Sequence, residues 1–484
     1  MLQDDIFSSF EKPEFKELLM LYEKMQEKQK SVYFETDELI LIAEYYAKDK
    51  RVKESEKAIE YALRLHPEDT ELHIYQAQAL GARGEYEKAS QLLDSLPDQN
   101  DREVLFTRAT MYLNREMNNE AELLFNLLAE NENFSSEVMV DIADVYMDNN
   151  QSKEAYYWLR RAYNQDSDNT NVKDALIDYY TTFGETEKAI VMLTNVLDDN
   201  PFNLNYWIEL SHAYITNHDT AKAFEAIDFA LAIDKKNARA LETKAFIFFM
   251  ESNHKKAIQL LEKIRSYGID SMNSRQLLIQ GYIHEKEYEK AVEYCNEILA
   301  NELQDYEIAI FRTSRGYCNL MLGHIGACED DMKIALMADK EYAPLYVVMG
   351  EYYLMKGDVQ EAKGEFAYAE ALAPERGDML ESIAFSFFRS GYFEDAKNIY
   401  LRLEKEFPEL IKKDYYYLAY SLYYSNGKLD DIQTLLVKAA QNTPEILDYI
   451  IDTDFSENPE EEKFFKLAQI AKELVENGMI PPES

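Results

Sequence analysis

Few side chains of this sequence are spaced for catalysis. The seven histidines are dispersed, and neither a His-x3-His pair nor a Cys-x2-Cys pair offers the ligands of a metal site. No Gly-x4-Gly-Lys-Ser/Thr or Gly-x-Gly-x2-Gly segment is present to bind phosphate. The acidic pairs Asp198-Asp199 and Asp330-Asp331 are predicted to lie at solvated helix ends. The sequence therefore predicts no catalytic residue, no metal site and no cofactor, and we expect the protein not to be an enzyme.

The charge of the chain limits its partners. Among 484 residues, Asp and Glu number 91 and Lys and Arg number 51, so the formal net charge is −40. A surface of this sign repels nucleic acid and anionic membranes and attracts basic partners. No segment approaches 18 uninterrupted apolar residues, the N-terminus is acidic, and three cysteines are too few for a disulfide framework. We expect a cytoplasmic protein that binds neither nucleic acid nor a membrane, and the sequence leaves its oligomeric state open.

The elements that would position a binding site recur about every 34 residues. An aromatic residue follows a small residue by three positions and precedes an alanine by nine, and the three rows stay in phase over about 400 residues. The aromatic row consists of Tyr46, Leu80, Tyr112, Tyr146, Tyr180, Tyr214, Phe248, Tyr282, Asn319, Tyr353, Phe387 and Tyr423. A fixed period of this length predicts a solenoid of stacked units rather than several globular domains.

Each unit is predicted to be an antiparallel pair of helices. In residues 204–237, apolar and small side chains recur at the helical spacing i, i+3, i+4 and i+7, at Trp207, Leu210, Ser211 and Tyr214. A short polar break, residues 216–219, leaves room only for a tight turn before a second helix. That helix carries Ala223, Ile227 and Ala230 on one face. Small residues at this contact allow the two backbones to approach closely.

These motifs resemble the tetratricopeptide repeat. Trp207-x2-Leu210-Ser211-x2-Tyr214 departs from the family pattern only at the glycine, and Tyr346-x2-Met349-Gly350-x2-Tyr353, followed by Ala362-x3-Phe366 and Pro374, is nearly complete. The resemblance covers residues 36–446, or about twelve repeats. It implies an all-α fold, a right-handed α-α superhelix, and a non-catalytic role in binding other proteins.

Departures from the 34-residue period suggest how the chain is organised. The first helices are predicted to begin at Thr36, Thr70, Arg102, Ser136, Thr170, Leu204, Ala238, Met272, Ala309, Ala343, Gly377 and Lys413. The eighth repeat is three residues longer than the period, so we predict a boundary between two segments of the array there. The predicted segments are an N-terminal capping helix (1–35), repeats 1–8 (36–308), repeats 9–12 (309–446) and a C-terminal capping helix (447–484) that Asn458 would cap.

The family resemblance also predicts a binding surface. In a tetratricopeptide array the first helices line a concave groove, and residues one after the small row and one after the aromatic row are expected to point into it. The predicted partner-binding residues are Glu44, Asp144, Asp174, Asp178, Phe246, Phe249, Tyr317, Leu354, Phe385, Phe388 and Tyr424. The set is acidic up to Asp178 and apolar from Phe246 onward, which suits a protein or peptide with basic and hydrophobic segments.

Alternatives to this interpretation remain at the level of the sequence. The aromatic part of the groove could be covered by the chain's own helices. A regulatory sensor that holds a short peptide or a small ligand in the groove would show the same pattern. The basic clamp with which some family members hold a C-terminal carboxylate is disfavoured, because Glu44, Gln78 and Asp144 occupy the matching positions.

Overall fold

The computed structural model describes residue 10 and residues 12–28, 31–48, 51–444 and 459–478. These residues form α-helices joined by short turns, with one 3-10 helix at Leu410–Asp414 and no strand among them. The α-helices in chain order are α1 (Pro13–Lys28), α2 (Thr36–Lys48), α3 (Val52–Leu65), α4 (Thr70–Ala82), α5 (Tyr86–Asp94), α6 (Arg102–Leu113), α7 (Asn118–Asn131), α8 (Ser136–Asp148), α9 (Ser152–Gln165), α10 (Thr170–Thr182), α11 (Thr186–Asp199), α12 (Leu204–Thr216), α13 (Thr220–Ile233), α14 (Ala238–Met250), α15 (His254–Ser266), α16 (Met272–His284), α17 (Tyr288–Leu299), α18 (Asp305–Met321), α19 (Ile325–Ala338), α20 (Ala343–Lys356), α21 (Val359–Leu372), α22 (Gly377–Arg389), α23 (Phe393–Glu406), α24 (Tyr415–Tyr424), α25 (Leu429–Asn442) and α26 (Pro459–Glu476).

The helices divide into two compact units, Met1–Lys235 and Lys236–Ser484. From α2 to α25, each even-numbered helix is the first helix of a repeat and packs against the odd-numbered helix that follows it. The N-terminal unit thus holds α1 and six repeats, and the C-terminal unit holds six repeats and α26. The predicted all-α class and the α-α repeat architecture are confirmed. The boundary suggested near residue 308 falls inside the C-terminal unit and stays a prediction.

Most first helices begin where the period predicted. Ten of the twelve start at the expected residue, and the two that differ belong to repeats 9 and 12. The extra residues before repeat 9 extend α18 toward the N-terminus, so that it begins at Asp305 rather than at Ala309. Those before repeat 12 form the 3-10 helix, and α24 begins at Tyr415 rather than at Lys413. Insertions in this array therefore lengthen or precede a first helix instead of opening a loop.

A polar residue before the first helix fixes where seven of these helices begin. The side chains at this position accept hydrogen bonds from backbone N–H groups in the first turn, at Asp69, Asp101, Ser135, Asn169, Asn203, Asn237 and Ser271. These N–H groups have no partner inside the helix, so each cap contributes about 1 kcal/mol. This capping row is a sequence signal that the three core rows do not include.

The contact between the two helices of a repeat is as close as the small row predicted. Ala43, Ala109, Ala245 and Ala384 are fully buried, and the alanine row is buried as well. Cys295 and Cys328 are small side chains that are buried as well. At Gly350 the approach leaves no room for a side chain, because an added Cβ would lie 2.6 Å from Cδ1 and 2.7 Å from Cζ of Phe366.

Two glycine substitutions should therefore have opposite effects. Gly350→Ala is expected to lower the free energy of unfolding by about 1–2 kcal/mol, because overpacking against Phe366 outweighs the gain in helix propensity. Gly364→Ala, on the neighbouring helix α21, meets no atom within 4 Å. It should raise the free energy of unfolding by about 0.5–1 kcal/mol. Urea denaturation of both variants measures the difference, and equal effects would contradict the packing described here.

Both ends of the described array carry an additional helix. On α1, Phe15, Tyr22 and Met25 are buried, and the ring of Tyr22 lies 5.9 Å from that of Phe34. On α26, Phe464 is fully buried against Tyr416, Tyr420 and Tyr423 (ring centroids 5.8, 5.0 and 5.2 Å apart). These helices cover apolar faces that the terminal repeats would otherwise expose. Asn458, the predicted cap of α26, lies outside the described residues.

Candidate functional site

The face of each first helix opposite the helix pair's seam is the candidate binding surface. We number positions from each predicted repeat start, so the small row is position 8 and the aromatic row is position 11. At 100° per residue, positions 4, 7 and 11 share one face, and position 9 lies about 180° away. Position 9 in the N-terminal unit is exposed at Gln78, Asp144, Asp178 and His212 and half-buried at Glu44 and Thr110. This row faces away from the core.

Position 12, one residue after the aromatic row, behaves differently. Leu354 is only 4% exposed, and Gly81, Leu113 and Leu320 are buried too. In repeat 2 this position packs against position 10 of the next first helix, since a Cβ on Gly81 would lie 3.1 Å from Cγ of Met111, whereas Ala47 and Thr181 are exposed at position 12. One residue after the aromatic row, the helix has turned by 100° from the seam, which directs the side chain toward the neighbouring repeat and not into open space. Leu354 therefore belongs to the core and presents no surface to a partner.

Four carboxylates interact along first helices α6, α8 and α10. We call Glu103, Asp141, Asp144 and Asp178 the acidic row. Partial burial and the carboxylates of Asp141, Asp178 and Asp148 raise the pKa of Asp144 to about 6. Burial also raises the pKa of Glu103 and Asp141, and both carboxylates repel each other. Negative charge is thus concentrated on this face, and partial burial leaves it less well solvated than it would be in water.

Arg102 lies beside two carboxylates of the acidic row. It forms ion pairs with Asp141 and, at 3.9 Å, with Glu103. The hydroxyl of Tyr206 donates a hydrogen bond to Asp174 (2.7 Å), although burial still raises the pKa of Asp174. Glu44 lies apart from the row, and its pKa is raised by burial. Glu103 and Asp141, at positions 2 and 6, were not among the predicted site residues, which come from positions 9 and 12 together with Asp174.

Two of the predicted aromatic residues in the C-terminal unit are open to a partner. Phe246 is 43% exposed and Phe385 is 39% exposed. Phe249 is half-buried, with its ring 5.4 Å from that of His254, and an added Cβ on Gly281 would lie 3.2 Å from its Cζ. Phe246 and Phe385 both occupy position 9, so this position supplies the exposed rings.

The remaining predicted aromatics are partly covered by the chain itself. The ring of Phe388 lies 4.9 Å from Tyr417 and 5.4 Å from Tyr420, and the ring of Tyr424 lies 4.7 Å from Tyr420. Phe388 thus packs on first helix α24, to which Tyr424 itself belongs, and both side chains are half-buried. The sequence had left self-coverage open as an alternative, and the structure shows it in part for Phe388 and Tyr424.

Tyr317 is covered by an arginine from two repeats later. Nη1 of Arg389 donates to the hydroxyl of Tyr317 (3.4 Å), and Nη2 lies 3.1 Å from Oε2 of Glu351. Ser386 donates to the other Glu351 oxygen (2.5 Å), and Glu351 is buried, which raises its pKa. This network connects three consecutive first helices, α18, α20 and α22. At position 9, the side chains of Tyr317 and Glu351 are therefore covered, whereas Phe385 is exposed.

The prediction of a solvated Asp330-Asp331 pair is wrong for Asp331. Asp331 is 1% exposed, and its carboxylate accepts hydrogen bonds from Arg312, Arg315 and Asn319. Asp330 is exposed, as predicted. The signal was present in the aromatic row, since Asn319 is the polar residue that replaces tyrosine there. A polar side chain at a core position requires a polar partner, and Asp331 is that partner.

Among the residues that the structure describes, no helix is both long and apolar enough to span a membrane. No group of three or more His, Cys, Asp and Glu side chains among these residues is arranged to hold a metal ion.

Comparison with known proteins points to one family. The tetratricopeptide repeat family model matches residues 46–106. The BBSome complex member BBS4 of Bos taurus is 21% identical over 157 residues, which is 32% of this chain and 30% of the bovine protein. The match thus spans about a third of each chain.

Solved structures with a similar arrangement include a tetratricopeptide repeat protein from Parabacteroides merdae ATCC 43184 (17% identity, TM-score 0.43, 52% of this chain and 98% of that one). The hetero-tetramer Cut9-Hcn1 of the APC/C is another (12% identity, TM-score 0.38, 96% of this chain and 95% of that one). Residues 46–106 thus match the tetratricopeptide repeat model, and the helix pairs and the three core rows of the described residues continue the same kind of repeat along the array.

Proposed function

We propose that this protein is a non-catalytic interaction scaffold, and that its N-terminal unit binds a basic segment of a protein partner along position 9 of the first helices. The acidic row carries this proposal. Three of its four carboxylates, Glu103, Asp141 and Asp144, have a raised pKa in the free protein, and one arginine, Arg102, forms ion pairs with two of them, Asp141 and Glu103. An arginine or lysine side chain from a partner would add positive charge beside Asp144, whose pKa the carboxylates of Asp141 and Asp178 help to raise.

Binding of a cation is favourable here for a specific electrostatic reason. Carboxylates that repel one another at partial burial store unfavourable free energy, and a guanidinium placed between them converts repulsion into charge-assisted hydrogen bonds. A segment with arginines or lysines on one side of an extended chain or helix fits a row of this kind. The net charge of −40 adds long-range attraction that accelerates encounter.

In the C-terminal unit, the exposed rings of Phe246 and Phe385 support contact with an apolar segment of a protein partner. Phe246→Ser is the variant that tests this contact, since the ring is open to solvent. Phe388 is unsuitable, because its ring is packed within the chain. A partner that binds wild type and Phe246→Ser equally well would contradict the apolar contribution.

Asp144→Asn should stabilise the free protein and weaken partner binding. A carboxyl group with a raised pKa holds its proton more tightly in the folded state, so its stability contribution is present below about pH 4 and is lost as the pH rises through about 6. Asparagine avoids this loss. We expect a gain of about 0.5–1 kcal/mol at pH 7, since Asp144 is exposed and solvent screens the repulsion, and no gain near pH 4.

The matched control for this variant is Asp168→Asn. Asp168 is exposed in the turn before α10 and undergoes the same chemical change. It should alter stability by less than about 0.5 kcal/mol at either pH. Thermal denaturation at pH 4 and pH 7 measures both variants, and a destabilising Asp144→Asn at pH 7 would contradict the repulsion on which the proposal rests.

The proposed function is tested with the natural partner. Proteins captured from the native cell by the wild-type chain are identified, purified and bound again to Asp144→Asn and Asp168→Asn. The proposal expects weaker binding to Asp144→Asn alone, and weaker binding to wild type when salt rises to physiological strength, where the Debye length is about 8 Å. Equal binding to both variants would refute it. A small mass retained in native mass spectrometry of the purified chain would instead favour the sensor.

A further inference from the structure

Repeat 9 has a depression on the side of its first helix, α18, that is opposite position 9. The floor of this depression is unusual. Second helices α17 and α19 flank this depression, and α18 forms its floor. It measures about 640 Å³, within the range of small-molecule sites. Arg312, Arg315 and Asn319 lie on the floor, at positions 4, 7 and 11, and Asp331 contributes from α19.

The equivalent depression in repeat 6 shows what these residues replace. It measures about 360 Å³, and its floor consists of Trp207, Leu210 and Tyr214, again at positions 4, 7 and 11. There the ring of Trp207 stacks on Phe229 with centroids 4.5 Å apart. Where repeat 6 has an apolar contact between its two helices, repeat 9 thus has a polar one, and its depression is larger.

The guanidinium groups of Arg312 and Arg315 differ in how many of their N–H donors form hydrogen bonds. Arg315 donates to both oxygens of Asp331 (2.9 Å from Nε and 2.5 Å from Nη2) and to Oδ1 of Asn296 (2.5 Å). Arg312 donates from Nη1 to Oδ1 of Asp331 (2.9 Å), and its buried Nε makes no hydrogen bond. A guanidinium has five N–H donors and stays charged at all relevant pH values. Arg312 therefore retains donor capacity that Asp331 does not use.

The charge of the depression is opposite to that of the whole chain. Three cations, Arg312, Arg315 and Lys333, and two carboxylates, Asp330 and Asp331, line it, which leaves an excess of one positive charge. The remaining wall is apolar and includes Val292, Ile334 and Met337. A site with one excess guanidinium beside an apolar wall fits a carboxylate attached to a short apolar body.

We propose that this depression binds an organic carboxylate with a short apolar body, with Arg312 holding the carboxylate and the wall of Val292, Ile334 and Met337 holding the body. The carboxylate belongs to a free acid or to the C-terminus of a peptide with an apolar last residue. In both cases the same group accepts the free donors of Arg312. The site lies on the other side of α18 from the exposed aromatic positions and does not depend on the acidic row.

The test uses hexanoate and a short N-acetylated peptide that ends in leucine, each with its amide as the uncharged control. Binding to the full chain is measured by NMR line broadening of the ligand and by calorimetry. We expect saturable binding of at least one carboxylate and at least about tenfold weaker binding of its amide. Preference for hexanoate identifies a free acid, and preference for the peptide identifies a chain terminus. Absence of saturable binding by both, or equal binding of the amides, would overturn the proposal.

Arg312→Lys is the diagnostic variant, because it keeps the positive charge beside Asp331 but removes the guanidinium fork. It should weaken carboxylate binding at least about tenfold. Arg275→Lys is the matched control: Arg275 occupies position 4 of repeat 8 and is engaged by Asp270 (2.9 and 2.6 Å). Circular dichroism melts establish that both variants fold. Equal loss of binding in both, or full binding in Arg312→Lys, would overturn the assignment of Arg312.

Discussion

Replacing Phe464 by alanine is expected to lower the stability of the C-terminal unit's last repeat by about 3–5 kcal/mol. The side chain is 0% exposed, and its ring contacts three tyrosines of α24. Truncation would leave a cavity between α26 and the repeat beneath it. Because α26 covers the apolar face of that repeat, its loss would also expose the faces of α24 and α25 to water.

The effect should be local, since each repeat of such an array contacts only its neighbours. Hydrogen exchange measured by mass spectrometry is therefore the appropriate readout, and the amides of α24, α25 and α26 should lose protection. Ile470→Ala is the control: Ile470 lies on the same helix and is 52% exposed. Loss of protection in both variants, or in neither, would contradict the capping role of α26.

Asp331→Asn is expected to cost about 3–5 kcal/mol, because it leaves two partly buried guanidinium groups with no anion between them. The side chains of Arg312 and Arg315 are 24% and 18% exposed, so water compensates little of their charge. Urea denaturation measures the loss. The neighbouring change Asp330→Asn, at an exposed carboxylate, should stay within about 0.5 kcal/mol of wild type.

A triple replacement separates the cost of breaking this cluster from its net contribution. With Arg312→Met, Arg315→Met and Asp331→Leu together, Asn319 is the one polar side chain left on the floor, and no buried charge there lacks a partner. We expect the triple variant to recover most of the stability lost in Asp331→Asn. A triple variant as unstable as Asp331→Asn would show that the cluster itself stabilises the junction of repeats 8 and 9.

The sequence predicted the repeats well because their residues are determined by local packing. The small row, the aromatic row and the alanine row each occupy one face of a helix, and period alone places ten of the twelve first helices. The same reasoning located the exposed residues Asp144, Phe246 and Phe385 at position 9. These positions need only the helical repeat of 3.6 residues and the direction of the seam.

Other residues were not predicted from the rows, because their surroundings come from other helices. Leu354 is buried, and Tyr317 is covered by Arg389, a residue 72 positions later in the chain. Asp331 is buried beside Arg312, Arg315 and Asn319, which all lie on the first helix of the same repeat. In each case the sequence shows the residue type, but the contact depends on how the helices pack against one another.

The central claim is that the acidic row binds a basic segment through contact and not only through the overall charge of the chain. The most direct measurement compares two double variants of equal net charge, Asp144→Asn with Asp178→Asn and Asp168→Asn with Asp198→Asn, in binding a short fluorescent peptide rich in arginine. We predict about tenfold weaker binding for the first pair and less than about twofold for the second, by fluorescence anisotropy at physiological salt. Equal weakening by both pairs would contradict the claim, since only the long-range field would then attract the peptide.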